Sequence, residues 1–160
     1  MEPTLNINDR VIVVKDKFFN INYKIGDVVV FYNPNYVYQK NTLQEFYDSL
    51  QVWNFNNQQL TIDTAFIKRV VGFEGDEIQI KNGDIYNNGT LIQFVNISEK
   101  NTKEDVTYIV PNNSIFVIGD NRSNSIDSRL YGSVNINQII GRAEYKIYPI
   151  IEIRRINDWK

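Results

Sequence analysis

Short β-branched runs recur along this chain, each closed by a turn signal, and that pattern leaves room for little but an antiparallel β fold. Arg10 to Lys15 (RVIVVK) is the first run. Asp27 to Tyr32 (DVVVFY) is the second, opened by Gly26 and closed by Asn33-Pro34. Phe66 to Val71 is the third, ended by Gly72. Glu77 to Lys81 alternates, and Asn82-Gly83 then predicts a tight hairpin into Asp84-Ile85-Tyr86. Asn88-Gly89 repeats that turn chemistry, and Ser114 to Ile118 and Ile139 to Tyr148 supply further strands. With no long helical pattern between them, the reading is mainly β: an antiparallel coiled sheet or barrel-like core.

Residues 35–64 depart from the pattern, being rich in Asn, Gln and Tyr. Within them Leu43, Phe46, Tyr47 and Leu50 recur at helical spacing, which predicts a short amphipathic helix over Thr42 to Trp53 on a surface excursion.

Composition removes whole classes of chemistry. A chain of 160 residues, 42% hydrophobic, can build one domain or a core with a small subdomain. The net charge is −2 and no basic cluster argues for a nucleic-acid partner. No apolar run approaches the roughly 18 residues a membrane helix needs. There is no Cys, so there are no disulfides, thiolate metal sites or Cys nucleophiles. There is no His, so there is no Ser-His-Asp triad and no His metal ligand. Acid–base chemistry near neutral pH would need Lys, Asp, Glu or Tyr as its base. Nothing indicates a metal or an organic cofactor.

Two local features remain. The stretch Gly119-Asp120-Asn121-Arg122-Ser123-Asn124-Ser125-Ile126-Asp127-Ser128-Arg129 follows an apolar strand. Its Asp, Arg, Asn and Ser side chains can satisfy one another and hold a rigid loop; a solvated surface turn is the plainer alternative. The other feature is Lys68. Strand alternation puts Phe66, Lys68 and Val70 on one face and Ile67, Arg69 and Val71 on the other. A Lys between apolar neighbours on a core face is poorly solvated, which lowers its pKa and suits it to act as a general base. On an edge or solvent face it would be a stem covering apolar surface.

Taken in order, four stretches resemble type I signal peptidases, membrane-anchored serine endopeptidases with a Ser/Lys dyad. Met1-Glu2-Pro3-Thr4-Leu5 is similar to the motif that follows the family's nucleophilic Ser. Asp27-Val28-Val29-Val30-Phe31 is similar to its second strand, and Lys68-Arg69-Val70-Val71-Gly72, with Gly75-Asp76 after it, to the segment bearing the base. Gly119 to Arg129 is similar to its last signature, with Ser123 where an Asp is common.

The resemblance implies roles. Lys68 is the expected general base, and Ser125 is expected to hydrogen-bond and orient its amine. Asp127 and Arg129 are expected to pair near that amine, and Asp120 to pair with Arg69 on the reverse face. Asn121 and Gly119 would shape the loop. Met1, Leu5, Phe66 and Ile67 would line the substrate pockets, although plain core packing would also explain them. The family's nucleophilic Ser would lie directly before Met1, outside this chain. The polypeptide as given is therefore expected to hold the base without the nucleophile or the anchor, and not to cleave by itself. A misplaced start or a shortened chain would explain this, and retained Lys68, Ser125 and Asp127 are what truncation predicts. A natural pseudoprotease that binds extended signal peptides is the alternative.

The expected organisation is a catalytic β core from 1–72 and 112–150, an inserted β-hairpin subdomain over 73–111, and a C-terminal tail over 151–160. The implied partners are preprotein signal peptides, cut after small residues, and a membrane surface. The implied place is the outer (trans) face of a bacterial plasma membrane or a thylakoid, with this fragment itself soluble. Trp53, Trp159 and the many Tyr would suit an interface. Self-cleaving repressors, which also use Ser/Lys, and a purely structural β domain are rival readings.

Overall fold

A computed structural model describes residues 1–16, 21–34, 65–94 and 105–157. The helix expected over Thr42 to Trp53, and the interfacial Trp53 and Trp159, lie outside the described residues. Among the described residues there are eleven strands: β1 (Arg10–Lys15), β2 (Val28–Tyr32), β3 (Ala65–Phe73), β4 (Glu77–Lys81), β5 (Asp84–Asn87), β6 (Thr90–Ile92), β7 (Val106–Ile109), β8 (Ser114–Ile118), β9 (Val134–Asn135), β10 (Ile139–Tyr148) and β11 (Arg154–Arg155). One turn of helix, α1 (Ser128–Tyr131), follows the polar loop.

Every pairing is antiparallel. The larger sheet has the order β1-β10-β2-β3-β8-β9, with β11 on β10, and the smaller has β6-β5-β4-β7. The fold is thus the mainly β, antiparallel one read from the sequence. The Asn-Gly pairs turn as expected. Asn82 and Gly83 have φ of 50° and 81°, and Asn88 and Gly89 of 48° and 77°, matching the twist that tight hairpins need.

β3 is covered on both faces, so it reads as a near-continuous apolar run rather than an alternating one. Val71 joins one core with Ile78, Ile80, Phe116 and Ile118. Val70 and Phe66 pack with Val29, Phe31 and Val117 in a second. Ile67 and Met1 pack on Leu5, Val28, Ala143 and Ile156 in a third. Each fully buried Val, Ile or Phe contributes about 1.5–3 kcal/mol, so a strand feeding three cores is held hard in place. The smaller sheet shares the first of these cores with β3 and β8, so it packs on the larger sheet through common side chains.

The C-terminal segment differs from the expected tail. β11 pairs with Tyr145 and Lys146, and Ile156 is buried. Asn157 stands between two strands: its Oδ1 accepts from Val28 N (3.0 Å) and its Nδ2 donates to Ala143 O (2.8 Å). A run of Arg and Asn carries no strand signal; its place is set by unpaired backbone groups on β10 and β2. Among the described residues, no helix is long and apolar enough to cross a membrane.

Candidate active site

β3 lies between β2 and β8, with Val29 opposite Lys68. Lys68 is half-buried on the face it shares with Phe66 and Val70, and its Nζ sits 5.7 Å from the Phe66 ring centroid. Phe66 in turn stacks on Tyr131 at 6.2 Å. Burial pushes the Lys68 ammonium below its usual pKa; Asp127 opposes that, Arg129 reinforces it and Asp120 opposes it. Loss of water around the half-buried amine is what favours its neutral form; the Phe66 face, which attracts a cation, does not offset it.

The polar loop leaves β8 and closes under this amine. Asp127 is fully buried and gripped by Arg129 in a two-pronged ion pair, Nε to Oδ1 and Nη2 to Oδ2 both at 2.8 Å. Gly119 N donates to its Oδ2 (2.9 Å), and Arg129 N to its Oδ1 (3.2 Å), which caps α1. Burial alone would raise its pKa, but the bonds from Arg129 and Gly119 outweigh it and hold the carboxyl below the usual range. Ser128 Oγ accepts from Val117 N (3.0 Å) and ties the turn back to β8.

Gly119 is where Ser125 sits. A Cβ on Gly119 would lie 2.0 Å from Ser125 Oγ and 2.6 Å from its Cβ, so this close approach requires glycine. Ser125 Oγ is buried beside the Asp127 carboxylate, which it helps to keep ionised, yet it makes no hydrogen bond of good geometry. The hydrogen bond expected from Ser125 to the Lys68 amine is therefore not formed: Lys68 rests over Phe66 instead. Asn121 shapes the loop as an acceptor for Asn124 N (3.2 Å) and Ser123 Oγ (3.2 Å), and its Nδ2 donates to Glu2 (3.3 Å).

The reverse face of β3 carries Arg69. Its guanidinium pairs with Asp120 through Nε to Oδ1 (2.8 Å) and Nη2 to Oδ2 (2.6 Å), and Nη1 donates to Gly26 O (2.7 Å). Both side chains are 1–2% exposed. Thr4 completes the group, donating from Oγ1 to Asp120 Oδ2 and accepting from Arg69 Nη2 (3.3 Å). Phe94 stacks beneath the guanidinium at 5.2 Å. Sequence reasoning missed Thr4 and Phe94. It also missed Arg122, whose burial lowers its pKa to about 10 against the pull of Asp120. A threonine in a Pro-Thr-Leu turn gives no local sign that its partners lie 65 and 116 residues away.

The N-terminal turn, closed by Leu5 N donating to Met1 O (3.0 Å), brings Met1 to the same place. Burial lowers the pKa of the Met1 amine, Lys68 lowers it further, and Asp120 and Glu2 oppose. The Met1 nitrogen thus lies within electrostatic reach of Lys68. Beside it runs an open groove of about 380 Å³, walled by Met1, Leu5, Val11 and Ile67 and rimmed by Glu2, Asn121 and Asn124. Three of the four pocket residues read from the sequence are there. Phe66 is not, because strand alternation turns it to the opposite face from Ile67, where it packs on Phe31 and Tyr131. Among the described residues no cluster of acidic side chains is arranged to hold a metal ion.

A family model described as signal peptidase, peptidase S26, matches residues 1–148. The chain is 34% identical over 158 residues to a probable signal peptidase I-2 of Synechocystis sp., covering 99% of this chain and 63% of that protein. It is 33% identical over 150 residues to a signal peptidase I of Leptolyngbya laminosa, covering 94% and 65%. A thylakoidal processing peptidase 1 of Arabidopsis thaliana is 28% identical over 149 residues, covering 93% and 39%. The chain therefore spans less than two thirds of the length of each of these relatives. A crystal structure of a signal peptidase I from Enterococcus faecalis shares the fold at a TM-score of 0.53 and 21% identity, covering 76% of this chain and 97% of that one.

Proposed function

The chain belongs to the signal peptidase, peptidase S26, family, and from that premise we propose that it is the catalytic β core of a serine endopeptidase that removes N-terminal signal peptides from secreted preproteins. One observation carries the reading: the half-buried Lys68, its pKa lowered, lies within electrostatic reach of the nitrogen to which a residue preceding Met1 would be joined. Neutral Lys68 takes the proton from a serine hydroxyl held there, and the serine oxygen attacks the scissile carbonyl. The resulting ammonium gives that proton to the leaving amine, and the freed Lys68 then activates the water that releases the acyl group. Asp127, locked to Arg129, keeps a fixed negative charge near the amine, and Ser125 packs beside that carboxylate against Gly119. The open groove beside Met1, with Leu5 and Ile67 in its wall, is where an extended peptide would lie on this reading.

We take residues 1–72 and 112–150 as that core and 73–111 as its insert; β11 and Ile156 extend the core to the end of the described chain. The place of action we infer is a membrane surface, on the outer face of a bacterial plasma membrane or in a thylakoid. Support comes from an apolar strip on one face of β1 and β10, where Ile12 stands opposite Tyr145 and beside Ile147, all exposed. Ile150 and Ile151, just past the end of β10 in the chain, are 75% and 93% exposed.

The test is a protein in which Ser directly precedes Met1, presented with a preprotein. Cleavage after a small residue is expected, with the rate rising with pH as Lys68 loses its proton. Lys68→Ala should lower that rate by about 10²–10⁴-fold. Cleavage by Lys68→Ala at the parental rate overturns the base assignment, and peptide binding without cleavage by the Ser-bearing parent would favour the binding-module reading.

A further inference from the structure

On the reading that Lys68 serves a residue joined to Met1, we propose that Thr4 is a positioning residue: its hydroxyl latches the N-terminal turn to the buried Arg69–Asp120 pair and so sets the Met1 nitrogen against Lys68. Thr4 is 7% exposed. Its Oγ1 uses both of its capacities inside the protein, donating to Asp120 Oδ2 and accepting from Arg69 Nη2. Those two partners are not arbitrary. Arg69 follows Lys68 on the same strand, and Asp120 opens the loop that ends in Asp127 and Arg129. One hydroxyl therefore joins three segments: the N-terminal turn, the strand bearing the amine and the loop beneath it.

The turn transmits this position. Leu5 N donates to Met1 O (3.0 Å), so residues 1–5 are closed into one turn, and the position of Met1 is coupled to that of Thr4 and Leu5. The carbonyl of Thr4 is held separately by Arg154 Nη2 (2.8 Å), and Leu5 is packed in the third core. Those contacts hold the turn against the sheet. Leu5 also meets β3 through Ile67, but that contact is apolar and undirected. The hydroxyl adds the directed link, tying the turn to the Arg69–Asp120 pair. The side-chain contact of Asn121 with Glu2 (3.3 Å) lies at an exposed rim and is replaceable by water. Losing the Thr4 hydroxyl would instead leave a buried carboxylate oxygen short of one donor, a cost the turn relieves by shifting.

The Met1 α-amine of the chain is itself the probe, so no turnover is needed. Its pKa is followed by NMR of the ¹³C-methylated amine in the 160-residue chain. In the parent it lies below the usual 8.0. Thr4→Val keeps the shape and removes the hydroxyl; the α-amine pKa should then rise toward 8.0, and the Lys68 titration should move with it. Thr4→Ser keeps the hydroxyl and should restore the parental titration. A folded Thr4→Val protein whose α-amine titrates as in the parent overturns the latch, since a merely structural hydroxyl would change the melting temperature and not this pKa. Should Thr4→Val fail to fold, Thr4→Cys replaces it: the thiol is a weaker donor of similar size, so an intermediate pKa supports the latch and an unchanged one overturns it. The peptidase reading fails separately, if the Ser-bearing protein with Thr4 intact does not cleave.

Discussion

Lys68 and Asp127 show how burial can work in the same sense and yet end differently. Burial opposes the charged form of both. Asp127 has Arg129 at 2.8 Å and Gly119 N at 2.9 Å, so direct bonds win and it stays ionised. Lys68 has no carboxylate within salt-bridge distance among the described residues, so burial wins and the amine is disposed to lose its proton. The signs for stability follow. Because the folded pKa of Asp127 lies below the unfolded 3.8, its contribution is complete above that value and is lost as pH falls through the folded pKa. Asp127→Asn should cost about 3–5 kcal/mol at neutral pH by leaving Arg129 unpaired. Urea titrations should show the difference from the parent shrinking below pH 3.8; a difference undiminished in acid would reject the assignment. For Lys68 the charged amine is what folding disfavours, so its cost is complete below its folded pKa and is relieved as pH rises toward 10.5. Lys68→Met should therefore raise stability at neutral pH by on the order of 1 kcal/mol while abolishing cleavage in the Ser-bearing protein, a trade typical of functional sites. A melting temperature below the parent's would contradict it.

At the scale of elements, the strands legible in the sequence are those whose signal is local. β1, β4, β5 and β8 have β-branched or alternating residues and Asn-Gly or Gly punctuation, and they stand where the pattern placed them. β6, β7, β9 and β11 run two to four residues and escaped that reading, because a short strand exists only where a neighbour offers unpaired backbone. β10 shows a constraint of the same kind. It lies between β1 and β2, and a Cβ on Gly141 would sit 2.1 Å from Val14 O and 2.9 Å from Lys15 Cα. Those are backbone atoms of the paired strand, so neither can swing aside. Gly141→Ala should cost roughly 1–3 kcal/mol and loosen β1 selectively. Amide exchange checks this: faster exchange in Val11 to Lys15 with β4–β5 unchanged is expected, and uniform exchange would point to a global effect instead.

For the molecule as a whole, two antiparallel sheets share a core through β3 and β8, and one edge presents apolar residues to solvent. If that strip meets a membrane, replacing Ile150 and Ile151 by Asp should weaken co-sedimentation with anionic vesicles about tenfold or more, since each buried Ile is worth about 1.5–3 kcal/mol. The melting temperature should not change, because both side chains are already exposed. Equal sedimentation of parent and variant would remove the strip from the account. Much of this protein was determined by the sequence alone. Period-two runs and Asn-Gly turns dictate antiparallel strands, and the absence of His and Cys narrows a base to Lys, Asp, Glu or Tyr, among which the family resemblance points to Lys68. Both are properties of neighbouring residues or of composition. Which cation is paired with a carboxylate was decided only by the tertiary structure. Lys68 and Arg69 are adjacent and each lies over an aromatic ring, yet only Arg69 also meets a carboxylate 51 residues away and a hydroxyl 65 residues away. Desolvation and pairing depend on what the fold brings within a few ångströms, and nothing local to either residue encodes that.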